Sequence, residues 1–198
     1  MIRKLRSLGV KLAEKLGLYS ERPREYLRLI YQLVRPVIID SKQHIVLDLG
    51  CGSGWLTKSF QKIAMAVGVD VRFSPSWNDR KECCFVVADA RFLPIADNIV
   101  DIVIALSLLE HVDDWQQILC EAFRVLRPGG VLVIQLPNLK YPIEPHTKFP
   151  LLYLVPQPLK QTIAKLAGYP ELKFDCTIEN VLEKAQEIGF KIQGVLHH

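Results

Sequence analysis

The stretch at 44–57, HIVLDLGCGSGWLT, places glycines at alternate positions directly after an apolar run. Gly50, Gly52 and Gly54 form this loop, and Asp48 interrupts the run before it. Glycine loses more backbone freedom on folding than any other residue, so three glycines in one turn lower stability. Two benefits commonly offset that loss: a tight turn with positive φ, or a close approach of the backbone to a ligand. The loop is therefore a candidate binding turn.

Two further acids close predicted strands, and their chemistry suits a nucleoside. Asp70 ends AMAVGVD, and Asp89 follows CCFVVA. A carboxylate at Asp70 can accept hydrogen bonds from the two ribose hydroxyls that nicotinamide and adenosyl cofactors share, and Asp89 can accept one from an amine such as adenine N6. The spacing G-x-G-x-G, with Trp55 next, departs from the dinucleotide fingerprint, whose third small residue comes one position later.

The elements that must position these residues alternate along the chain. We predict strands at 45–50, 64–70, 83–90, 100–106 and 131–137, and helices at 2–17, 23–35, 54–63, 113–126 and 177–188. Residues 71–82 allow only a helical stub, Asp113 or Asp114 caps the fourth helix, and RPGG breaks it. Apolar strands without alternation are typical of a parallel sheet covered on both faces. The pattern predicts a doubly wound α/β fold, whose ligands bind at the carboxyl ends of the strands.

Five motifs in this order and spacing resemble the class I S-adenosylmethionine-dependent methyltransferases. The similar branch includes quinone-biosynthesis enzymes and many small-molecule methyltransferases. The motifs are DLGCGSG at 48–54, the acid Asp70, DARFLPIAD at 89–97, LEHV at 109–112 and RVLRPGG at 124–130. The resemblance covers about 40–137 and implies a Rossmann-like, mostly parallel sheet. The family usually continues through a sixth strand into an antiparallel seventh, and the short tail KIQGVLHH indicates that the seventh is absent.

The resemblance also implies S-adenosylmethionine as cofactor, S-adenosylhomocysteine as product, and a role for each matching residue. The glycine loop would pass beneath the methionine part, and Asp48 would organise the turn and help hold the amino group. Asp70 would bind the ribose, Asp89 the adenine, and the backbone after the fourth strand would flank the sulfonium. The implied cofactor residues are Asp48, Gly50, Cys51, Gly52, Gly54, Asp70, Val71, Asp89, Ala90, Leu106 and Ser107.

Composition and charge narrow the class of protein. The 198 residues are 49% hydrophobic and 23% charged, as expected for one globular domain. Five cysteines with no CxxC pair favour a reducing cytoplasm and no metal site. Residues 1–42 hold ten Lys/Arg and four Asp/Glu, a net of +6, against −2 for the rest. This basic arm is either a solvated helical face or, through 1–20, a contact for anionic lipid; nucleic acid is the weaker reading.

The acceptor side is less defined by sequence. We expect a helical extension at 1–42 and a methyltransferase domain at 43–198, with an insert at 138–177 after the fifth strand. The insert is rich in apolar and aromatic residues, and 141–160 is predicted either as a packed cover or as a mobile lid over an apolar acceptor. Methyl transfer needs a base only when the acceptor must lose a proton. His111, Tyr141 and His146 are the candidates.

Three functions compete at this point. The first is methyl transfer to a small-molecule or lipid-like acceptor. The second is a non-catalytic module that binds S-adenosylmethionine or S-adenosylhomocysteine and regulates a partner. The third, a nicotinamide-dependent reductase, is disfavoured by the glycine spacing and by Asp89. Neither the acceptor nor the oligomeric state follows from the sequence.

Overall fold

The structure, a computed structural model, describes residues 23–38, 43–79, 83–137, 147, 149 and 152–195. The predicted helix at 2–17 lies outside the described residues, as do Tyr141, His146 and the terminal His197 and His198. Within the described residues, none of the helices has the length and apolarity that crossing a bilayer requires.

Helices and strands alternate through the first two thirds of the described chain. The strands are β1 (Ile45–Leu49), β2 (Met65–Asp70), β3 (Cys84–Val87), β4 (Val100–Leu106) and β5 (Leu126–Gln135). The α-helices are α1 (Pro23–Val34), α2 (Trp55–Phe60), α3 (Trp115–Val125), α4 (Gln157–Ala167) and α5 (Ile178–Ile188). Short 3₁₀ turns lie at Pro75–Trp77, Leu109–His111 and Leu152–Leu154.

The five described strands form one sheet in the order β3-β2-β1-β4-β5, and all their pairings are parallel. Chain order reverses between β1 and β4, which is the switch point of a doubly wound sheet. Because the strands are parallel, the loops after β1, β2, β3 and β4 all leave from one edge. The predicted Rossmann-like fold is confirmed.

Each face of the sheet carries its own core, as the apolar strands predict. On one face, α1 and α2 cover the sheet with residues such as Ile30, Val34 and Phe60, which are almost fully buried. On the other, α3 and α5 pack through residues such as Ile118 and Val181. Amphipathic spacing explains α1, since its buried positions 30 and 34 are one turn apart. The sheet is thus held from both sides and its loop edge can stay fixed.

The RPGG segment differs from the prediction. It forms no turn between helix and strand: β5 begins at Leu126, directly after α3. The register between β4 and β5 shifts there, with Val100 opposite Leu126 and Ile102 opposite Val131. Gly130 permits this bulge, because a Cβ would lie 3.0 Å from the backbone oxygen of Asp101. Proline and glycine therefore mark an irregularity within the strand.

The part of the chain after β5 also differs from the prediction. Helix α4, which begins inside the segment 141–160, is not among the predicted helices. Pro158 occupies its first turn, where proline removes no helical hydrogen bond, and Gly168 ends it with a φ of 94°. Residues 191–195 form no sixth strand. The predicted helix at 177–188 is confirmed, with Thr177 as its N-cap.

Candidate functional site

A cavity of about 220 Å³ lies at the loop edge of the sheet. Its lining consists of Gly50, Val69, Asp70, Val71, Ala88, Asp89, Ala90, Arg91, Leu108, His111, Val112 and Asp113. Six predicted positions line it: Gly50, Asp70, Val71, Asp89, Ala90 and the candidate base His111. The other described candidates, Asp48, Cys51, Gly52, Gly54, Leu106 and Ser107, lie outside this lining.

Asp70 joins the end of β2 to the glycine loop. Its Oδ2 accepts a hydrogen bond from the Gly52 amide at 2.9 Å, and its Oδ1 accepts one from the Arg72 amide at 3.0 Å. The amides of Gly50 and Cys51 donate to the Val69 carbonyl at 2.8 and 3.1 Å. Each Asp70 oxygen retains a second acceptor position. Asp70 can therefore shape the loop and still accept hydrogen bonds from a ligand.

The three loop glycines meet different surroundings, although all have positive φ. A Cβ on Gly54 would lie 2.5 Å from a ring carbon of Phe85, and one on Gly50 would lie 2.9 Å from Leu108. A Cβ on Gly52 would meet nothing within 4 Å. The resemblance implies that the loop glycines leave space for the cofactor. The packing of Phe85 is a further reason for glycine at position 54, and the packing of Leu108 is one at position 50.

Asp48 lies beneath the loop rather than in the cavity lining. It is only 4% exposed, and its Oδ2 accepts a hydrogen bond from the Thr57 hydroxyl at 2.6 Å. Burial raises the pKa of Asp48 to about 7, and the nearby Asp70 adds to the shift. Burial also raises the pKa of the Cys51 thiol to about 12, which disfavours the nucleophilic thiolate.

Asp89 is in the cavity lining, but its carboxylate is already occupied. Arg91 donates from Nε to both carboxylate oxygens at 3.0 and 3.1 Å, from Nη2 at 2.6 Å, and from its amide at 2.9 Å. Hydrogen bonding to Arg91 holds the pKa of Asp89 below its usual range. A carboxylate accepts about four hydrogen bonds. A ligand amine at Asp89 must therefore displace part of the Arg91 contact, which the sequence did not indicate.

Leu106 and Ser107 end β4 beside β5. Ser107 has a φ of 48°, rare for a residue with a side chain. Its hydroxyl donates to Gln135 Oε1 at 2.6 Å, and its amide donates to the Gln135 carbonyl at 3.1 Å. The turn after β4 is thus held by the end of β5, a partner that no motif indicated.

The LEHV segment places His111 and Asp113 on the cavity wall. Lys173, from the insert, donates its backbone amide to the Glu110 carbonyl at 2.7 Å and forms an ion pair with Asp113. This ion pair lowers the pKa of Asp113. The insert and the cavity therefore meet at Lys173.

Trp77 is a further part of the site that the sequence interpretation missed. The residue is 6% exposed, its Nε1 donates to the Gly52 carbonyl at 2.9 Å, and its ring stacks on Phe85 at 4.8 Å. Asp70 and Trp77 thus hold both sides of the loop at Gly52. Trp77 lies 25 residues from its partner, so the local sequence gives no signal for this contact.

The motif at 89–97 is also held in place by a residue that is distant in the sequence. Arg124 on α3 donates to the carbonyls of Leu93 and Ile95, and to the carboxylate of Asp97. Glu121 accepts from the Leu93 amide at 2.6 Å and pairs with Arg124. These contacts fix the loop that begins with Asp89.

Comparisons with known proteins agree with this architecture. Residues 47–134 match the family described as methyltransferase domain. A probable S-adenosylmethionine-dependent methyltransferase of Mycolicibacterium smegmatis is 33% identical over 98 residues, 47% of this chain and 38% of the relative. Demethylmenaquinone methyltransferase of Tropheryma whipplei is 31% identical over 157 residues, 75% of this chain and 64% of the relative.

A solved structure supports the fold. Haemonchus contortus phosphoethanolamine N-methyltransferase 2, in complex with S-adenosyl-L-methionine, matches with a TM-score of 0.60 and 20% identity over 81% of this chain and 36% of that one. Together with the sheet order and the loop edge, these findings support a class I S-adenosylmethionine-dependent methyltransferase domain in this chain. The match spans 38% of the length of the M. smegmatis relative.

Proposed function

We propose that the chain transfers a methyl group from S-adenosylmethionine to a small-molecule or lipid-like acceptor. The observation that carries this proposal is the geometry at Asp70, which fixes the glycine loop and also lines the cavity with acceptor capacity to spare. When bound, S-adenosylmethionine supplies a methyl group already activated on a sulfonium. The protein's task is then mainly positioning and exclusion of water.

The cavity lining fits the chemistry of this cofactor. Three carboxylates, Asp70, Asp89 and Asp113, face a ligand that carries hydroxyls, an exocyclic amine and positive charge. In this proposal Asp70 and Val71 hold the ribose, Ala90 and a partly released Asp89 hold the adenine, and the open space at Gly52 admits the methionine part. Asp48 supports the turn and the amino group, and the turn at Leu106 and Ser107 lies nearest the reacting centre.

His111 is the candidate proton acceptor that both belongs to the described residues and lines the cavity. If the acceptor must lose a proton before methylation, that proton would go to His111. An acceptor that is already a nucleophile would need no base. We propose that the insert helps to bind the methyl acceptor, since its Lys173 contacts Asp113 on the cavity wall. A relative named for demethylmenaquinone supports an apolar acceptor.

The proposal also covers the domain bounds, the cellular location and the lipid contact. We propose a helical extension at 1–42, a cytoplasmic location, and peripheral lipid contact through 1–20; the five free cysteines support the location. No observation favours the alternative of a non-catalytic module, and the relatives compared above are named as methyltransferases.

Calorimetry with S-adenosylhomocysteine tests the cofactor. The wild-type chain should bind it, and Asp70→Ala should lose roughly 1–3 kcal/mol, because ligand hydroxyls and the Gly52 amide lose their acceptor. Asp79→Ala, an exposed acid in the following loop, is the matched control and should bind normally. Equal affinity of Asp70→Ala and wild type would remove Asp70 from the site.

Turnover tests the reaction itself. Mass spectrometry of the ligand retained on purification should show S-adenosylmethionine or S-adenosylhomocysteine. Release of S-adenosylhomocysteine in the presence of apolar quinones or phenols, with small amines as comparison acceptors, would then establish transfer. Binding of the cofactor with no turnover on either group would favour the non-catalytic module.

A further inference from the structure

The outer face of helix α4 is apolar. Leu154, Leu159 and Leu166 are 67%, 56% and 63% exposed, and within the described part of the chain they are the leucines exposed by more than half. Leu159 and Leu166 are seven residues apart on one helix face, with exposed Thr162 between them. We call Leu154, Leu159 and Leu166 the leucine stripe. Leu154 lies in the 3₁₀ turn before α4, whereas Leu159 and Leu166 lie on α4 itself. Single exposed leucines are ordinary, but three this close together in the chain are not.

The leucine stripe is not a by-product of an unpacked helix. On the opposite face of α4, Ala164 is fully buried in a small core with Leu152, Leu172 and Phe174. Helix α4 therefore has a definite inner side and a definite outer side. Leu159 and Leu166 point outward from a helix that is already anchored.

Along the sequence, the charged residues between the two flanking glutamates are of one sign. Between Glu144 and Glu171 the sequence contains three lysines and no aspartate or glutamate. Two of them, Lys160 and Lys165, lie on α4 itself. Lysine side chains can lay their methylene stems along apolar surface and extend the ammonium group outward. An exposed apolar helix face with flanking lysines matches the interface of an anionic bilayer, where leucines enter the acyl boundary and lysines meet phosphates.

We propose that the leucine stripe docks this chain on an anionic lipid surface, with α4 lying in the plane of the interface. Lys173, at the end of the same insert, contacts Glu110 and Asp113 on the cavity wall. Docking through α4 would therefore use the same insert that contacts the cavity wall. The proposal does not depend on methyl transfer, since it concerns binding of the chain to lipid.

Vesicle flotation with the full chain tests it. Vesicles of phosphatidylglycerol and phosphatidylcholine should carry the wild type upward, and vesicles of phosphatidylcholine alone should carry less. Leu159→Ser with Leu166→Ser should lower binding to anionic vesicles by roughly tenfold or more, because two apolar side chains no longer leave water. Lys160→Gln with Lys165→Gln should lower binding and flatten its dependence on salt. The matched control, Leu33→Ser with Met65→Ser, changes exposed apolar residues elsewhere and should bind as wild type.

Three outcomes would overturn the proposal. The wild type could ignore anionic vesicles at low salt. The leucine variant could bind as wild type, which would assign binding to the basic segment 1–22 instead. Light scattering could show that the wild type is a dimer and the leucine variant a monomer, which would assign the stripe to a second copy. Circular dichroism reports whether each variant is folded. Its affinity for S-adenosylhomocysteine, measured without vesicles, reports whether the cofactor site is intact.

Discussion

The glycine loop and the insert both follow a parallel strand, β1 and β5 respectively, yet they are held in different ways. The glycine loop is fixed by backbone contacts at successive residues, with Val69 and Asp70 accepting from its amides and Trp77 donating to its carbonyl. The insert folds on its own small core and touches the cavity wall through Lys173. The first arrangement suits a ligand of constant shape. The second allows the outer surface to change without disturbing the cofactor edge.

The largest expected effects come from two glycines two residues apart. Gly54→Val should destabilise the fold by about 2–5 kcal/mol, because the side chain meets Phe85 and the backbone stays at positive φ. Gly52→Val carries only the backbone strain, so its melting temperature should fall less. It should nevertheless lose binding of S-adenosylhomocysteine, because the valine enters the open space at the loop. Thermal unfolding and calorimetry separate the two effects.

The opposite pattern would contradict this assignment. If Gly52→Val binds normally while folded, the space at Gly52 is not ligand space and the loop is only a turn. If Gly54→Val is as stable as Gly52→Val, the Phe85 contact gives way easily and the loop is less rigid than its hydrogen bonds indicate.

A smaller effect is expected from pH at Asp48. Its pKa is raised to about 7, so between about pH 4 and pH 7 the folded chain binds more protons than the unfolded chain. The stability of the ligand-free protein should therefore fall as pH rises through this window. Asp48→Asn, which keeps the shape and removes the charge, should abolish that part of the pH dependence. Thermal unfolding of both proteins from pH 5 to pH 8 measures it.

Cofactor binding should show the reverse trend at the same residue. If the ionised Asp48 helps hold the ligand's amino group, binding favours the deprotonated acid and releases up to about one proton below pH 7. Calorimetry of S-adenosylhomocysteine in two buffers of different ionisation enthalpy counts that proton. Proton release that is equal in wild type and Asp48→Asn would exclude Asp48 as its source.

The two regions also differ in what their sequences reveal. Gly50 and Asp70 could be located because apolar strands and glycine spacing are local signals, and parallel strands bring their ends to one edge. Trp77 and Arg124 could not, since their partners lie 25 and about 30 residues away and depend on packing. Arg91 is near Asp89 in sequence, but nothing in the motif shows that it takes up the whole carboxylate.

The insert was harder to predict for a different physical reason. The predicted helices include none at 157–167, yet Pro158 lies in the first turn of α4, where proline is tolerated. Its apolar composition predicts either a packed cover or a lid over an acceptor. Leucines that face outward and leucines that form a core give a helix the same composition. The buried position of Ala164 shows which face of α4 is the inner one.

The smallest expected effect lies at the joint between the two regions. Lys173→Met removes the ion pair with Asp113 but keeps the backbone hydrogen bond to Glu110, which holds the insert against the cavity wall. Exposed ion pairs contribute little, because water screens them and both side chains lose freedom. The dissociation constant for S-adenosylhomocysteine should therefore change within about twofold. Lys184→Met, which removes an exposed ion pair with Glu187 on α5, is the matched control. A tenfold loss confined to Lys173→Met would show that the insert maintains the cofactor cavity, and the two regions would then have to be treated as one unit.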